Sequence, residues 1–284
     1  MELSKHETEG LFEQEIREGQ RFEFGRNWQA FLSTLDDERI LVAKNSLTDM
    51  LGLDDLHDKT FLDAGSGSGL FSLTARSLGA QVHSFDFDPS SVACTRELCS
   101  RYFPNDPNWI IEQGSVLDKE FLRSLGLYDI VYSWGVLHHT GSMWEALENA
   151  GELVKPNGLL FVAIYGDQGL RSKFWWRVKK LYCSSAIGKM FVSTVFVPYF
   201  ALRALIKSIV TRENVFATYK KNRGMSIVHD WIDWLGGLPF EVATVKEIEE
   251  FYKAKGFSLI KLVDSGGGAC NEFVFANRVD QSST

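Results

Sequence analysis

Apolar and polar residues alternate along the chain with two different periods, and the changes between the periods mark the predicted elements. Before residue 59, apolar residues recur at helical spacing, which predicts two or three helices between residues 8 and 52. From residue 60 onward, short apolar runs alternate with helical patterns. These patterns predict strands at 60–64, 81–86, 109–113, 128–134 and 159–165, and helices at 70–78, 90–102 and 142–154.

The alternation stops after the fifth strand and resumes near residue 245. A helix at 245–255 and strands at 258–264 and 272–277 follow, and turn-rich residues join the last two strands. We therefore expect a closing hairpin that places one antiparallel strand in the sheet. The whole pattern predicts an α/β fold with a doubly wound, seven-stranded, mostly parallel sheet.

The same pattern predicts four consecutive parts of one large domain. Residues 1–58 form an amino-terminal helical lid and 59–167 the main part of the core. Residues 168–243 form a basic, aromatic, helical insertion after the fifth strand, and 244–284 supply the last helix and two strands of the core. A length of 284 residues with 45% hydrophobic and 24% charged residues is typical of a globular protein with a sizeable core.

The cysteines and the apolar stretches bear on the compartment. The four cysteines form no CxxC pair, and the first residues lack the apolar region of a secretory signal, so we expect a reducing cytoplasm. The longest apolar stretch, residues 190–202, is bounded by Lys189 and Arg203 and interrupted by Pro198. It is shorter than the ~20 residues that a spanning helix needs, so we expect no transmembrane segment.

Charge is distributed unevenly. The chain has 30 basic and 37 acidic residues, a net charge of -7. Between Gly169 and Gly224, twelve Lys and Arg residues face the single acid Glu213, a surplus of +11 that leaves -18 for the rest. This segment, from Arg171 to Arg223, could meet an anionic membrane surface, a nucleic acid or an acidic substrate, or could be a solvated helix face.

A glycine-rich turn follows the first predicted strand. Its pattern is Asp63-x-Gly65-x-Gly67-x-Gly69, and glycines there allow positive φ and close approach of a ligand to the main chain. A dinucleotide fingerprint would need glycine in place of Leu70, and the Gly-Lys-Ser/Thr ending of a P-loop is absent, so both are disfavoured. Asp86, at the end of the second strand, could accept hydrogen bonds from both hydroxyls of a ribose.

Taken together, the glycine loop, Asp86 and the fourth-strand motif resemble the class I S-adenosylmethionine-dependent methyltransferases. The resemblance covers about residues 60–165 and 245–278. It implies the Rossmann-like fold of that family and S-adenosyl-L-methionine as cofactor. It also implies that Asp86 binds the ribose, that Phe87 lies against the adenine, and that the methionine moiety contacts the glycine loop through Asp63, Gly65, Ser66, Gly67 and Gly69.

The third-strand motif departs from the family pattern. Where the family has an acid that meets the adenine amino group, this chain has Gly114-Ser115-Val116. Either the hydroxyl of Ser115, beside Val116, makes this contact, or Asp118 supplies it; the alternative for Asp118 is a helix cap.

The fourth strand ends in Ser133-Trp134-Gly135-Val136-Leu137-His138-His139. By resemblance, the backbone of Ser133 and Trp134 contacts the methionine end of the cofactor. His138 and His139 follow at the edge where ligands of open α/β sheets bind, so either could take a proton from an acceptor hydroxyl, or could simply bond the backbone. Enzymes that methylate ubiquinone precursors have acids of a metal site where this chain has Gly135 and His138, so we predict no metal.

The insertion interleaves aromatic residues with cations at residues 174–182. This composition suits an amphipathic helix at a membrane interface, the apolar wall of a substrate lid, or an RNA groove. Nucleic acid is the least favoured of the three because the rest of the chain is acidic.

Further candidate substrate contacts flank the core. Asp230 and Asp233 beside Trp231 and Trp234 could bind a polar head group, with His229 as a second candidate base, although Asp230 could equally cap a helix. Residues 22–28 resemble a lid element of some methyltransferases, in which Arg26 would meet the cofactor carboxylate. We also expect Trp28 and Tyr165 to contact the substrate.

The sequence thus predicts an enzyme that transfers a methyl group to an oxygen of a small or amphipathic metabolite. The alternatives are transfer to a nitrogen, a tRNA or protein methyltransferase, and a noncatalytic module that docks on membrane or nucleic acid. Catalysis would rest mainly on positioning, with His139 or His229 removing a proton.

Overall fold

A seven-stranded sheet organises the computed structural model, which describes residues 5–213, 227–266 and 269–278. Its strands are β1 (Thr60–Ala64), β2 (Gln81–Asp86), β3 (Trp109–Gln113), β4 (Tyr128–Trp134), β5 (Val154–Tyr165), β6 (Phe257–Val263) and β7 (Cys270–Asn277). The order is β3-β2-β1-β4-β5-β7-β6, and β7 runs antiparallel to both of its neighbours. The predicted fold, including the closing hairpin, is confirmed.

Strand order reverses between β1 and β4, which pair in parallel. From β1 the chain moves outward to β2 and β3, then returns to β4 on the other side of β1. Helices that leave the two strands therefore diverge, and a crevice opens at their carboxyl ends. The ends of β1, β2, β4 and β5 bring Ala64, Asp86, Trp134 and Tyr165 to this edge of the sheet.

Helices surround the sheet. Three precede it: α1 (Lys5–Arg17), α2 (Gly25–Leu32) and α3 (Asp37–Leu51). Those within or after the strand alternation are α4 (Leu70–Ser77), α5 (Pro89–Tyr102), α6 (Lys119–Leu125), α7 (Met143–Glu152) and α11 (Val245–Ala254), with a 3₁₀ turn at Leu137–His139. The pattern did not predict α6, because a helix of seven residues spans too few turns to show periodicity.

Both faces of the sheet are covered by apolar side chains. On one face, Leu62, Val131 and Val162 pack with Leu147 of α7 and Tyr252 of α11. On the other face, alternate residues of the same strands pack with α3, α4 and α5; they include Phe61, Ile130 and Phe161. Because successive residues of a strand point to opposite sides, the central strands have apolar residues on both faces.

The insertion after β5 is helical: α8 (Leu170–Ser184) and α9 (Ala186–Thr211) form a hairpin, on which α10 (Ile227–Gly236) packs. The turn between α8 and α9 is tight, since a Cβ on Gly188 would lie 2.2 Å from the Leu181 carbonyl oxygen. A small apolar core, which includes Val178, Val192 and Leu235, joins the three helices.

The expectation about membrane spans needs a correction. Helix α9 continues well beyond residues 190–202 to a length of 26 residues, because Lys189, Arg203 and Lys207 are compatible with a helix. Among the residues that the structure describes, α9 is the one helix that is both long enough and apolar enough to cross a membrane. Only 11% of its most apolar 18-residue stretch is buried. The argument from length was therefore wrong.

Candidate active site

A cavity of about 1600 Å³ lies at the carboxyl edge of the sheet. It is larger than the 300–1,000 Å³ typical of one small-molecule site, so it has room for two ligands side by side. The amino-terminal helices and the insertion close it from above. Predicted site residues that line it are Trp28, Asp63, Gly65, Ser66, Gly67, Asp86, Phe87, Ser115, Val116, Trp134, His139, Tyr165, Trp231 and Trp234.

The glycine loop lies between β1 and α4. Gly65 and Gly67 have φ of 85° and 54°, in the left-handed region that a side chain disfavours. The backbone N–H groups of Gly65 and Ser66 both donate to the carbonyl oxygen of Phe85, which ties the loop to the end of β2. The loop therefore turns sharply and presents its backbone to the cavity.

Asp86 is held beside this loop by backbone donors. Its two carboxylate oxygens accept from the N–H of Gly67 at 2.9 Å and the N–H of Asp88 at 2.8 Å. Burial raises the pKa of Asp86 to about 7, and the nearby Asp88 charge adds to this, although the Gly67 hydrogen bond acts in the opposite direction. A ligand that donates hydrogen bonds to the carboxylate would relieve this cost.

Asp63 ends a chain of buried hydrogen bonds that crosses the sheet. The Trp109 indole donates to the Ser84 hydroxyl, Ser84 donates to Ser72, and Ser72 donates to the Asp63 carboxylate at 2.5 Å. Burial also raises the pKa of Asp63 to about 7. This chain fixes the orientation of the carboxyl group at the floor of the cavity.

The lid segment, residues 21–25, leads into α2 and is attached to the strand ends. The Gly25 N–H donates to the Asp88 carboxylate at 2.8 Å, and a Cβ on Gly25 would lie 2.6 Å from that same oxygen. Asp88 also caps α5 through the Ser90 N–H. The segment therefore closes over the end of β2 because residue 25 is glycine.

Arg21 of this segment enters the cavity, which the sequence did not predict. Its guanidinium lies 4.9 Å from the ring centre of Phe87 and donates to the His139 carbonyl oxygen at 3.1 Å. Arg21 thus bridges the ends of β2 and β4. With adenine against Phe87, as predicted, the Phe87 ring would contact both the adenine and the Arg21 guanidinium. The side chain of Arg26, the predicted lid cation, lies outside the described residues.

The structure decides one of the alternatives that the third-strand motif left open, the helix cap by Asp118. Asp118 accepts from the N–H groups of Glu120 and Phe121 and so caps α6, as one alternative predicted. Ser115 lines the cavity, with its hydroxyl accepting from the Leu117 N–H at 3.2 Å. Ser115 and Val116 stay predicted cofactor contacts.

The His139 ring has one tautomer that fits its surroundings. Its Nδ1 lies 2.5 Å from the Pro239 carbonyl oxygen, which can only accept, so Nδ1 carries the proton and Nε2 is left with the lone pair. Burial lowers the pKa of His139 to about 3, and the nearby Lys179 and Arg21 charges act in the same direction. The ring is therefore neutral and offers a hydrogen-bond acceptor.

Aromatic side chains surround His139. Tyr165, at the end of β5, lies 5.5 Å from it and 5.4 Å from Trp234 between ring centres. Phe24 of the lid segment lies 5.0 Å away on another side. The insertion adds Trp231, which contacts Phe200. These rings give this part of the cavity an apolar lining, and the predicted substrate contacts among them stay predictions.

Of the predicted site residues whose side chains the structure describes, three do not line the cavity. Gly69, with φ of 80°, begins α4 against Thr95, where a Cβ would clash with the backbone, so its role is helix packing. Ser133 is fully buried and donates to the Ala64 carbonyl oxygen at 2.7 Å, which ties β4 to β1. His138 is fully buried behind His139 and Tyr165, and its pKa is lowered well below the usual value by burial.

The second predicted cluster is described only in part. Trp231 and Trp234 line the cavity, whereas the side chains of His229, Asp230 and Asp233 lie outside the described residues. Gly236, at the end of α10, lies against the Phe22 ring, which a Cβ would approach within 2.3 Å. Gly236 is therefore needed for close packing of α10 on the lid segment.

The structure also adds residues from α9 that no motif marked. Phe200, Arg203, Ala204 and Lys207 line the cavity at helical spacing. Their three- to four-residue spacing was visible in the sequence, but nothing there indicated that this helix folds back over the strand ends. Across the described ranges, no group of three or more His, Cys, Asp or Glu side chains could hold a metal ion.

Comparison with known proteins concerns mainly the central part of the chain. Residues 62–160 match the model of a methyltransferase domain family. A ribosomal protein L11 methyltransferase of Psychrobacter sp. (strain PRwf-1) is 32% identical over 120 residues, which are 40% of this chain and 37% of that protein. A ubiquinone biosynthesis O-methyltransferase of Caulobacter vibrioides is 28% identical over 110 residues, 37% of this chain and 40% of that protein. The match thus spans about two fifths of these relatives.

A solved structure shares the fold over more of the chain. The magnesium protoporphyrin IX methyltransferase of Synechocystis PCC 6803 with bound SAH superposes with a TM-score of 0.51. The superposition covers 84% of this chain and 83% of that one at 13% identity, so it speaks for the fold alone.

Proposed function

Since the chain contains a methyltransferase domain of the class I S-adenosylmethionine-dependent family, we propose that it transfers the methyl group of this cofactor to an oxygen of a small or amphipathic metabolite. The observation that carries the proposal is the shared cavity. Its one end presents the glycine loop and Asp86, and its other end presents His139 among aromatic rings. Both reactants would therefore meet in one enclosed space.

The residues at the first end fit the cofactor. Asp86 is a buried carboxylate beside a backbone loop, and ribose hydroxyls would give its charge the donors that burial removed. The positive φ of Gly65 and Gly67 leaves the loop backbone accessible to the methionine moiety. The bound cofactor supplies an electrophilic methyl group on a sulfonium.

At the second end, the chain's own side chains would orient the acceptor. Tyr165, Trp231 and Trp234 form apolar walls that exclude water from the reacting atoms. Nε2 of His139 can accept a hydrogen bond from an acceptor hydroxyl because Nδ1 is held by Pro239. Its low pKa makes His139 a weak base in the ligand-free protein, so its main contribution is positioning.

The acceptor class follows from the lining of the cavity. Rings on one side and the cations Arg203 and Lys207 on another favour an amphipathic molecule over a fully polar one. We propose that the reaction takes place in the cytoplasm. A macromolecular acceptor, as the name of the ribosomal protein methyltransferase suggests for that relative, is the second candidate.

Methyl-labelled S-adenosylmethionine tests the proposal. The wild type is incubated with phenols, quinols, amines and a cell extract, and label is followed into acid-precipitable and organic-soluble fractions. We expect label in the organic-soluble fraction, bound through oxygen, and its loss in Asp86→Ala. The exposed Asp54→Ala controls for removal of a carboxylate elsewhere. Label in precipitable protein or RNA, or on nitrogen, would contradict the proposed acceptor.

A further inference from the structure

The hairpin of α8 and α9 has an outer surface that is both apolar and cationic. Residues 170–211 contain no Asp or Glu. Their Lys and Arg side chains are exposed, with the exception of Lys179, which is buried against Trp234 and Phe240. This region therefore has a purely positive charge on a protein whose net charge is negative.

One face of α9 presents a continuous apolar stripe. Its members recur every three or four residues, which places them on the same side of the helix. They are Ile187, Phe191, Val195, Tyr199, Leu202, Ile206 and Ile209. Each is between 47% and 76% exposed. A stripe of this length in contact with water is unusual for a monomeric surface and indicates a site of interaction.

The opposite face of α9 is in contact with the protein. Val192 and Ala204 are buried, and the Phe200 ring lies 6.1 Å from Trp175 and 5.8 Å from Trp231 between ring centres. Because protein covers this side at mid-length, α9 is not surrounded by lipid as a spanning helix would be. Lys189, Arg203 and Lys207 also lie within the helix, which favours an orientation in the plane of the interface.

Helix α8 also has exposed aromatic residues near cations. Phe174 and Trp176 are half exposed, and Lys180 lies 5.0 Å from the ring centre of Trp176. Tryptophan with neighbouring cations is typical of the head-group level of a bilayer, where the ring is partly apolar and the cation meets lipid phosphate.

We propose that the α8–α9 hairpin docks on an anionic lipid bilayer, with the α9 stripe inserted among the acyl chains and the surrounding cations on the head groups. The hairpin has no acid to pair with a basic partner, so its charge favours an anionic one. The exposed apolar stripe commits the surface to anionic lipid, because a nucleic acid would leave these side chains in water. Insertion of the stripe would remove its apolar side chains from water.

Docking would also place the cavity at the bilayer. Arg203 and Lys207 are exposed and line the cavity, so the cavity reaches the surface beside α9. An amphipathic acceptor could then pass from the lipid to His139 without crossing water. This consequence rests on the proposed function, whereas docking itself does not.

Vesicle flotation of the 284-residue chain tests the docking. Vesicles of phosphatidylcholine with and without phosphatidylglycerol are compared at low and high salt. We expect the wild type to float with the anionic vesicles and to dissociate as salt rises. A Phe191→Glu, Ile206→Glu double variant should bind at least about tenfold more weakly, because two charges would enter the acyl layer.

The matched control places the same two changes elsewhere. Ile110→Glu and Leu127→Glu alter exposed apolar residues on β3 and before β4, away from the insertion, with the same change in net charge. This variant should float like the wild type. Circular dichroism and S-adenosylhomocysteine binding show whether both variants keep the fold and the cofactor site, independently of lipid.

Several results would overturn the proposal. One is a wild type that does not float with anionic vesicles, and another is a stripe variant that floats as well as the wild type. A stable dimer that the stripe changes convert to monomer, without vesicle binding, would assign the surface to a second copy of the chain. Equal binding to tRNA and lipid, unaffected by the stripe changes, would show that the surface binds polyanions through charge alone.

Discussion

Asp86 and Asp63 are carboxyl groups that the unliganded protein buries without a cationic partner close enough to keep their pKa low. Folding alone gives no reason for charges there, whereas a ligand that donates hydrogen bonds to these carboxylates would. Asp86 could be proposed as a site residue from the sequence because it ends the second predicted strand. The chain from Trp109 to Asp63 could not, since its serines lie on three separate elements.

Stability should depend on pH through these carboxyls. Both have a pKa of about 7 in the folded protein and 3.8 as the ordinary value, so the folded state holds more protons between these limits. The unfolding free energy should therefore fall as pH rises from about 4 to 7. Asp86→Asn removes one of these two titrating groups and keeps an acceptor for only one of the two backbone N–H donors, so its unfolding free energy should fall less from pH 5.5 to pH 8 than that of the wild type.

Urea unfolding of the ligand-free protein at pH 5.5 and pH 8 measures this effect. The exposed Asp54→Asn serves as control and should keep the wild-type dependence on pH. A fall in unfolding free energy that is as large in Asp86→Asn as in the wild type would contradict the raised pKa of Asp86, and the ligand-binding interpretation would lose its physical basis.

His139 should act through position and not through titration. Its pKa of about 3 predicts that kcat at saturating cofactor shows no inflection from this group between pH 5 and 9. His139→Asn keeps a donor toward Pro239 but removes Nε2, so kcat should fall about 10- to 100-fold. The affinity for S-adenosylhomocysteine should stay within twofold. A wild-type inflection near pH 6.5 that the variant lacks would identify His139 as a titrating base instead.

At the scale of elements, the lid segment and helix α10 each depend on a glycine, because a side chain there would clash with its neighbour. Gly25 contacts Asp88, and Gly236 packs on Phe22. The sequence predicted a helical lid. It did not show which glycine lets the lid approach the strand ends, because this approach depends on contacts between residues that are distant in the sequence. Arg21 was missed for the same reason: it reaches His139, which is 118 positions away.

Gly25→Ala should displace the lid segment. The added Cβ would lie 2.6 Å from both the Asp88 carboxylate oxygen and the Ser90 Cβ, so the hydrogen bond from the Gly25 N–H should be lost. We expect a loss of about 1–2 kcal/mol of unfolding free energy and several-fold weaker cofactor binding. Gly10→Ala on α1, where no atom lies within 4 Å of the added Cβ, is the control. Equal behaviour of the two variants in unfolding and calorimetry would mean that the lid does not depend on this contact.

At the scale of the whole molecule, the strand positions and the closing hairpin could be predicted because most core strands are short apolar runs between turn signals, whereas the order of the strands comes from the structure. The insertion could not be placed in the same way. Its charge surplus was visible in the sequence, but the fold of α9 over the cavity depends on packing of Phe200 and Trp175 between separate helices. Sequence composition therefore indicated an unusual surface, and the structure shows that this surface borders the cavity.

The most direct test of the central claim is calorimetric titration of S-adenosylhomocysteine and S-adenosylmethionine into the wild type, Asp86→Ala and the control Asp54→Ala. The account predicts saturable binding at one site per chain. Asp86→Ala should bind at least about tenfold more weakly, because hydrogen bonds to a charged group are lost, and Asp54→Ala should bind like the wild type. Absence of binding to the wild type, or equal affinity for Asp86→Ala, would contradict the assignment of this cavity to the cofactor.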